Sequence, residues 1–354
     1  GPALESRTPY FWKVQVRCAD GRLTEWSDAA GFETGLMDES DWLSDWIAYA
    51  PGSPGRVLYF KATHVDARPV AKARLYIAGL GFYEMSINGR KVGNHVLDPA
   101  QSTYNRRVYY STYDVKEYLA TENVLLAAVA PGWYGMPKLR MQLEITHPDG
   151  QRTILTAGHM RAVTTGPTVH STIFDGELYD ARLDVPDLRA PYVPAGLMNK
   201  EWSLAHIADA PGGKMTAQKM EAIEVVDSLV PQLLGEPAPG VYVFDTKQNL
   251  AGWAALRVRG ERGRTVTMKF AESLYGNGLV NQENLRNAKA TDTYICKGEG
   301  VETWEPKFTY HGFRYIQVEG LPQAPAEGDI QVRIVRNAVA ETGSVTLVTN
   351  EGNG

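Results

Sequence analysis

Two adjacent aromatic residues between glycines form the clearest candidate binding motif of this 354-residue sequence. Trp133 and Tyr134 lie between Gly132 and Gly135, directly after an apolar run at residues 124–129. A sugar ring can stack its C–H face on an aromatic ring, and nearby polar groups then bind its hydroxyls. The motif therefore predicts a carbohydrate-stacking platform at the end of a strand. Packing of Trp133 over the protein core is the alternative, and it is the favoured one.

Tyr104 is a second candidate for sugar binding. It lies in the polar segment 102–107, where hydrogen-bonding side chains surround a flat ring. Here too, packing in the core is favoured over binding. A further aromatic cluster, at residues 308–315, is interpreted as core or interface packing.

Carboxylates would have to carry out any glycoside hydrolysis, which needs two opposed carboxyl groups about 5 to 9.5 Å apart. No acidic pair of the sequence stands in a setting that demands this role. Asp38, Glu39 and Asp41, and further along Asp184 and Asp187, are interpreted as solvated linker charges. The sequence also lacks metal-ligand spacing of histidines, a serine nucleophile elbow and a phosphate-binding glycine loop. We therefore expect no catalytic residue and no cofactor.

Three carboxylates within six residues, Asp175, Glu177 and Asp180, form a candidate cation site. Carboxylate oxygens are ligands that Ca²⁺ prefers, but the segment lacks the spacing of an EF-hand loop. An ion pair between Arg182 and one of these carboxylates is the favoured interpretation. The sequence therefore predicts no metal site.

The composition is that of an ordinary globular protein, with 44% hydrophobic and 22% charged residues. A formal net charge of -5 argues against nucleic acid as a partner, because phosphate binding needs a basic face. No apolar run reaches the roughly 18 residues of a membrane helix, so no membrane partner is expected. The chain has only two cysteines, Cys18 and Cys296, which are too few for a disulfide framework. They leave either one long-range bridge or two buried thiols, and buried thiols are favoured.

The segments that would position these residues are almost all β-strands, since turn residues interrupt apolar alternation about every 8 to 12 positions. Asn88-Gly89 and Asp149-Gly150 each favour the left-handed backbone of a type I′ turn and predict two β-hairpins. Residues 219–229 have the longest helical periodicity, and residues 114–119 predict one short turn. An all-β fold of tandem β-sandwich or jelly-roll domains is expected, and 18 Tyr and 8 Trp suit that class.

Composition changes divide the chain into three blocks. Residues 1–35 supply two strands, too few to bury a core, and are interpreted as the tail of a sandwich. Residues 36–210 and 211–337 each hold enough strands for a β-sandwich, and the Pro-, Gly- and Ala-rich stretch 209–213 indicates the boundary. A polar loop at 284–294 leads into a strand of the last block.

Several of these segments resemble the N-terminal half of bacterial α-L-rhamnosidases, glycoside hydrolase family 78, in the order that this family has them. Residues 10–35 resemble the last strands of the family's fibronectin-III-like module. The second block resembles its N-terminal galactose-binding-like jelly roll, and the third its concanavalin-like β-sandwich. The segments that carry the likeness are 83–93, 104–115, 132–134, 176–182, 248–253, 290–294 and 310–315.

The resemblance implies an accessory region, a scaffold that also positions substrate. In that family an (α/α)₆ barrel follows these modules and supplies the acid and base that hydrolyse terminal α-L-rhamnosyl bonds with inversion. Residues 338–354 resemble the lead-in to the barrel. The barrel itself is expected to be missing, so no catalytic residue carries over and the fragment is predicted to be inactive.

The resemblance also implies two partners, a rhamnose-containing glycan or glycoside and the barrel in the same polypeptide. A periplasmic or extracellular bacterial location is favoured. The sequence departs from the family at one binding feature, because some relatives hold rhamnose through Ca²⁺ with an Asp-Asn pair. The matching residues here, 78–81, are Ala-Gly-Leu-Gly and offer no side-chain oxygen, so no Ca²⁺-dependent site is expected there.

Two alternatives to an accessory region stay open. A free-standing carbohydrate-binding protein would bind rhamnosides by itself and depend on Trp133. A structural or adhesion module would bury its aromatic side chains and bind no glycan.

Overall fold

The structure, a computed structural model, describes residues 3–49, 55–133, 135–163, 166–184 and 202–346. These residues form β-strands joined by turns, and the helices among them are 3₁₀ segments of three residues. None of the described helices has the length and apolar character needed to cross a bilayer. The all-β class predicted from the sequence is confirmed. The 3₁₀ segments are Glu39–Asp41, Lys116–Tyr118, Ala157–His159, Ala181–Leu183 and Glu283–Leu285.

The first unit is a two-stranded antiparallel sheet of β1 (Pro9–Trp12) and β2 (Ala30–Glu33). Tyr10 and Phe32 stack with 5.5 Å between their ring centroids, whereas Phe11 is 77% exposed. Two strands therefore bury no core of their own, as the sequence predicted.

The cysteines correct one prediction. Cys296 is buried, but Cys18 in the first unit is exposed, and both thiols are free. Two buried thiols were expected; the expectation is wrong for Cys18 because its unit has no core in which to bury it.

The second unit is a β-sandwich of two sheets. This part of the chain contains, in order, β3 (Ile47–Ala48), β4 (Leu58–Val65), β5 (Lys72–Leu80), β6 (Phe82–Ile87), β7 (Arg90–Lys91), β8 (Arg107–Asp114), β9 (Glu122–Ala130), β10 (Lys138–Thr146), β11 (Arg152–Thr156), β12 (Arg161–Val163), β13 (Thr168–Thr172), β14 (Gly176–Asp180), β15 (Ser203–Leu204), β16 (His206–Ile207) and β17 (Lys214–Ala217). Of these strands, β13 and β14 belong to the sheet of the third unit.

One sheet of this sandwich has the order β16-β3-β10-β5-β8-β17, with β11 beside β10, and the other has the order β15-β12-β4-β9-β6-β7. Alternate residues of each strand face the space between the sheets. On β10 these are Leu139, Met141, Leu143 and Ile145, all buried in the main core of the sandwich.

The two predicted hairpins form, with one difference. Asn88 and Gly89 have φ of 53° and 75° and join the paired ends of β6 and β7, as a type I′ turn requires. β10 and β11 also form a hairpin, but Thr146 pairs with Arg152, so the connection has five residues. The two-residue turn expected at Asp149-Gly150 is therefore wrong; only Gly150 has a left-handed φ, at 83°.

The third unit is built on one ten-stranded sheet. Its later strands are β18 (Ile223–Leu229), β19 (Gln232–Ala238), β20 (Val241–Val258), β21 (Thr265–Ala271), β22 (Ser273–Leu274), β23 (Val280–Asn281), β24 (Thr291–Ile295), β25 (Glu302–Trp304), β26 (His311–Glu319) and β27 (Ile330–Asn337). The order is β13-β14-β24-β21-β26-β20-β27-β18, with β19 and β25 also on β20, and β22 pairs separately with β23.

The helical prediction at residues 219–229 is wrong. This segment contains β18, an edge strand that pairs antiparallel with β27. Its β-branched Val225 and Val226 suit a strand, and pairing with β27 overrides a helical periodicity that had no capping residues to support it. The short turn expected at 114–119 is confirmed by the 3₁₀ segment Lys116–Tyr118.

The chain crosses between the second and third units more than once. The hairpin β13–β14 joins the ten-stranded sheet through the parallel pairing of β14 with β24. The chain then returns to the second unit, where β17 pairs in parallel with β8. Because strands of one unit pair with strands of the other, the strand pairing does not fix a boundary between them. The domain limits 36–210 and 211–337 stay a prediction.

Candidate carbohydrate-binding cleft

A cleft of about 350 Å³ lies between the β-sandwich of the second unit and the ten-stranded sheet of the third. Phe82, Asp98 and Trp133 line it from the sandwich, and Tyr310 and Arg336 line it from the sheet. We call it the Trp133 cleft. It combines aromatic rings with charged and amide groups, which is the lining that a saccharide site needs.

Two glycines bring Trp133 to this cleft. Gly132 follows the end of β9 with φ of 56°, and Gly81 between β5 and β6 has φ of 101°. A Cβ on Gly81 would lie 2.0 Å from the carbonyl oxygen of Ala130. Both the left-handed backbone and this close approach require glycine, and together they turn the chain so that Trp133 lies beyond the end of β9.

Trp133 is half exposed rather than buried in the core. Its indole keeps 46% of its surface exposed and meets Phe174 edge to face, with 4.9 Å between the ring centroids. Because Phe174 is itself 54% exposed, packing over the core does not describe this contact. An exposed indole beside polar groups has the geometry that stacking on a sugar requires. The role of Trp133 stays a prediction.

The other two candidate rings differ from Trp133. Tyr134 lies outside the described residues. Tyr104 is 9% exposed in a core cluster with Trp42 and Tyr110, and its hydroxyl accepts a hydrogen bond from the Gly81 amide at 2.9 Å. A buried ring cannot present its face to a sugar, so this burial argues against a binding role for Tyr104.

Asp98 is a buried carboxylate in the wall of the Trp133 cleft. It accepts hydrogen bonds from Tyr83, from Ser111 at 2.7 Å and from Tyr113 at 2.8 Å, and His95 lies 3.6 Å away. Burial alone would raise the pKa of Asp98, but the interaction with His95 and the hydrogen bonds from Tyr83 and Ser111 outweigh it and lower the pKa. Asp98 is therefore ionised and held in place, which suits accepting a hydroxyl and not donating a proton.

Gln101 supplies a donor to the same cleft. Its Nε2 is buried and has no hydrogen-bond partner among the residues that the structure describes. A buried donor without a partner costs about 1–3 kcal/mol, so a ligand oxygen or an ordered water that accepted this hydrogen bond would be stabilised. Sequence reasoning missed both Gln101 and Asp98.

The predicted acidic cluster does not form a cation site. Arg182 makes a two-point ion pair with Asp180, at 2.8 and 2.7 Å, as favoured from the sequence. Glu177 is buried and accepts the backbone amides of Lys307 and Phe308, whereas Asp175 lies 4.0 Å from Lys289. Within the described ranges no three potential metal ligands converge. The loop at residues 78–81 lies beside the Trp133 cleft and presents no side-chain oxygen.

Of the charges at residues 38–41, Asp38 and Glu39 are exposed, as the interpretation of solvated charges expected, but that interpretation is wrong for Asp41, which is largely covered and structural. Asp41 accepts hydrogen bonds from Ser6 and from Arg7, and Glu39 pairs with Arg140 of β10 at 2.5 Å. Burial opposes ionisation, but the bonds from Ser6 and Arg7 lower the pKa of Asp41 to about 2. These contacts fix the first unit to the sandwich. Asp187 lies outside the described residues.

Three family models match the chain in succession. The Rha78A-like N-terminal immunoglobulin domain matches residues 1–38, the α-L-rhamnosidase N-terminal domain residues 68–227, and the bacterial α-L-rhamnosidase concanavalin-like domain residues 236–336. The immunoglobulin match agrees with the expected fibronectin-III-like tail, because both are sandwiches of the same architecture.

Curated relatives named α-L-rhamnosidase match nearly the whole chain. One from Formosa agariphila is 32% identical, with 97% of this chain and 41% of the relative covered. One from Streptomyces avermitilis is 36% identical, with 92% of this chain and 34% of the relative covered. The chain thus spans between about a third and two fifths of the length of these relatives.

Solved structures of α-L-rhamnosidases share the fold. The structure from Dictyoglumus thermophilum has a TM-score of 0.90 at 33% identity and covers 96% of this chain and 40% of that one. The structure from Streptomyces avermitilis, complexed with L-rhamnose, has a TM-score of 0.85 at 26% identity and covers 96% and 50%.

The matched modules are of the kind that α-L-rhamnosidases, a class of carbohydrate-active enzymes, carry. More narrowly, the chain belongs to the N-terminal β-sandwich regions of the α-L-rhamnosidases, glycoside hydrolase family 78.

Proposed function

We propose that this chain is the accessory region of an enzyme that hydrolyses terminal α-L-rhamnosides, and that it positions the substrate through the Trp133 cleft. The observation that carries the proposal is a half-exposed indole beside an unpartnered buried amide and an ionised carboxylate. Stacking on Trp133 and hydrogen bonds to Gln101 and Asp98 together match the apolar face and the hydroxyl edge of a pyranose. Relatives named α-L-rhamnosidase supply the choice of rhamnose.

The chain by itself is proposed to bind and not to hydrolyse. The carboxyl groups that line the Trp133 cleft are Asp98 and Glu221. A general acid needs a proton to give at working pH, and the lowered pKa of Asp98 removes that proton. Purified chain incubated with an aryl α-L-rhamnoside should release no phenol, and detectable turnover would contradict this part.

Binding is tested by calorimetric titration with methyl α-L-rhamnoside. The substitution Trp133→Ala should lower the affinity about tenfold or more, because loss of a stacking ring costs roughly 1 to 3 kcal/mol. Trp26→Ala removes an indole that is 59% exposed in the first unit, and should leave the affinity unchanged. If the unsubstituted chain did not bind methyl α-L-rhamnoside, the proposed positioning role would be wrong.

A further inference from the structure

A second cleft adjoins the Trp133 cleft. It has a volume of about 480 Å³ and is lined by residues of β2, β5 and β8, among them Glu33, Arg74 and Thr112. We call it the Arg74 cleft. Gln218 and Met220 line both clefts, so the two share one wall.

The shared wall is a short segment that follows β17. Ala217 and Ala222 face the Arg74 cleft, and Glu221 faces the Trp133 cleft. Two hydrogen bonds hold Gln218 in place. Its side-chain Oε1 accepts from the backbone N–H of Ala100 at 2.9 Å, and its backbone N–H donates to the carbonyl oxygen of Tyr110 at 3.0 Å. The divider is thus one ordered segment across which a flexible chain can pass.

The two clefts are also joined by the Asp98 network. Asp98 lines the Trp133 cleft, whereas its partners Ser111 and His95 line the Arg74 cleft. One set of hydrogen bonds therefore fixes walls on both sides of Gln218.

The charges of this surface favour a neutral ligand. Arg74 is already paired, at 3.0 Å with Glu33 and at 2.7 Å with Asp114. The charged side chains that line the two clefts are four acidic and two basic: Glu33, Asp98, Asp114 and Glu221 against Arg74 and Arg336. An anionic ligand would meet this acidic excess, whereas hydroxyl groups can bond to either sign of charge.

We propose that the Trp133 and Arg74 clefts form one groove that binds a neutral oligosaccharide of two or more sugar units. The sugar at one end stacks on Trp133, and the next unit crosses Gln218 to reach Thr112 and Asp114. This inference rests on the proposed function, since Trp133 supplies the first of the two positions.

The test compares methyl α-L-rhamnoside with a neutral rhamnose-terminated trisaccharide by calorimetry. The trisaccharide should bind at least about tenfold more tightly, and Thr112→Trp, which fills the Arg74 cleft from an exposed strand position, should remove that gain while methyl rhamnoside binds as before. Thr63→Trp, at an exposed position of β4, is the matched control and should keep the gain. Melting curves check that both variants fold.

A second variant adds no bulk. Asp114→Asn should strengthen binding of a trisaccharide that carries a uronate and leave methyl rhamnoside unchanged, because it removes one acidic charge. Equal affinity of the two neutral ligands, or a gain that survives Thr112→Trp, overturns the groove and leaves the proposed function standing. Tighter binding of the uronate form by the unsubstituted chain overturns the neutral class. No binding of either neutral ligand overturns both proposals.

Discussion

Ser171 and Glu177 are directly paired across the β13–β14 ladder, and each has a buried side-chain oxygen without a hydrogen-bond partner in the described part of the chain. The other oxygen of Glu177 accepts the backbone amides of Lys307 and Phe308 at 3.2 and 3.1 Å. Glu177 therefore ties the hairpin to a segment about 130 positions later, with no cation paired to it among the described side chains.

The pKa of Glu177 makes this contact dependent on pH. Burial raises it from 4.5 to about 8, and the nearby charge of Asp292 adds to the effect. Between those values the folded chain keeps the proton and the unfolded chain releases it, so the free energy of unfolding falls as pH rises from about 4.5 to about 8.

Glu177→Gln should therefore stabilise the chain at pH 8. The amide keeps an oxygen for the Lys307 and Phe308 amides and offers its NH₂ to Ser171, and the gain should be on the order of 3 kcal/mol. Urea unfolding at pH 5 and pH 8 measures it, with the gain largely absent at pH 5. Glu302→Gln is the matched control and should destabilise, because Glu302 accepts hydrogen bonds from Lys297, Gly298 and Tyr294 and its pKa is lowered. A destabilised Glu177→Gln chain at pH 8 would contradict the prediction.

Arg7 fixes the first unit to the sandwich. It donates to both carboxylate oxygens of Glu144 at 2.9 Å and to Asp41 at 2.7 Å. Arg7→Met should cost about 2 kcal/mol and expose residues 12–30 to limited proteolysis, because it leaves the largely buried carboxylate of Asp41 without its cation and Glu144 with Arg152 alone. Arg22→Met breaks an exposed pair with Asp20 and should change neither unfolding nor proteolysis.

Acid should loosen the same junction. Because the folded-state pKa of Asp41 is lowered from 3.8 to about 2, its contribution is complete above about pH 4 and is lost as the pH falls towards 2. Faster proteolysis of the first unit at pH 2.5 than at pH 5, with an acid-stable protease, is the expected result. Equal rates would show that Asp41 does not hold the unit.

Gly81 and Gly89 separate two effects of adding a Cβ. Both have a left-handed φ, of 101° and 75°, but only the Cβ at Gly81 meets backbone atoms, whereas nothing lies within 4 Å at Gly89. Gly89→Ala should cost about 1 kcal/mol, the conformational effect alone, and Gly81→Ala about 3 kcal/mol or more. Gly81→Ala should also weaken sugar binding, since it displaces the turn that carries Trp133. Equal costs would contradict the close approach seen here.

The thiols should differ in reactivity. Burial raises the pKa of Cys296 to about 11, so this thiol is both covered and protonated, whereas Cys18 is exposed. A thiol reagent should modify one cysteine in the native chain and two in denaturant. Rapid modification of Cys296 in native conditions would show that its core opens.

Local chemistry was readable from the sequence, and contacts between distant segments were not. The turn at Asn88-Gly89 forms as predicted because both residues favour its left-handed backbone, whereas at Asp149-Gly150 the register of β10 with β11 gives a longer connection. Residues 219–229 show the opposite case, because their state depends on pairing with β27, more than 100 positions away.

The candidate site followed the same rule. Trp133 was found because glycines flank it, a signal within five residues. Asp98 was missed because its role depends on Tyr83, Ser111 and Tyr113 from two other strands, and no local pattern marks such a network. Gln101 was missed because only the folded chain shows that its amide is buried without a partner among the described residues.

The central claim is that the Trp133 cleft binds a rhamnoside, and the indole N–H signals of the chain test it most directly. On titration with methyl α-L-rhamnoside, the ¹H–¹⁵N signal assigned to Trp133 by its loss in Trp133→Phe should shift, and the signal of Trp26 should not. A Trp133 signal that stays fixed at saturating sugar would contradict the account.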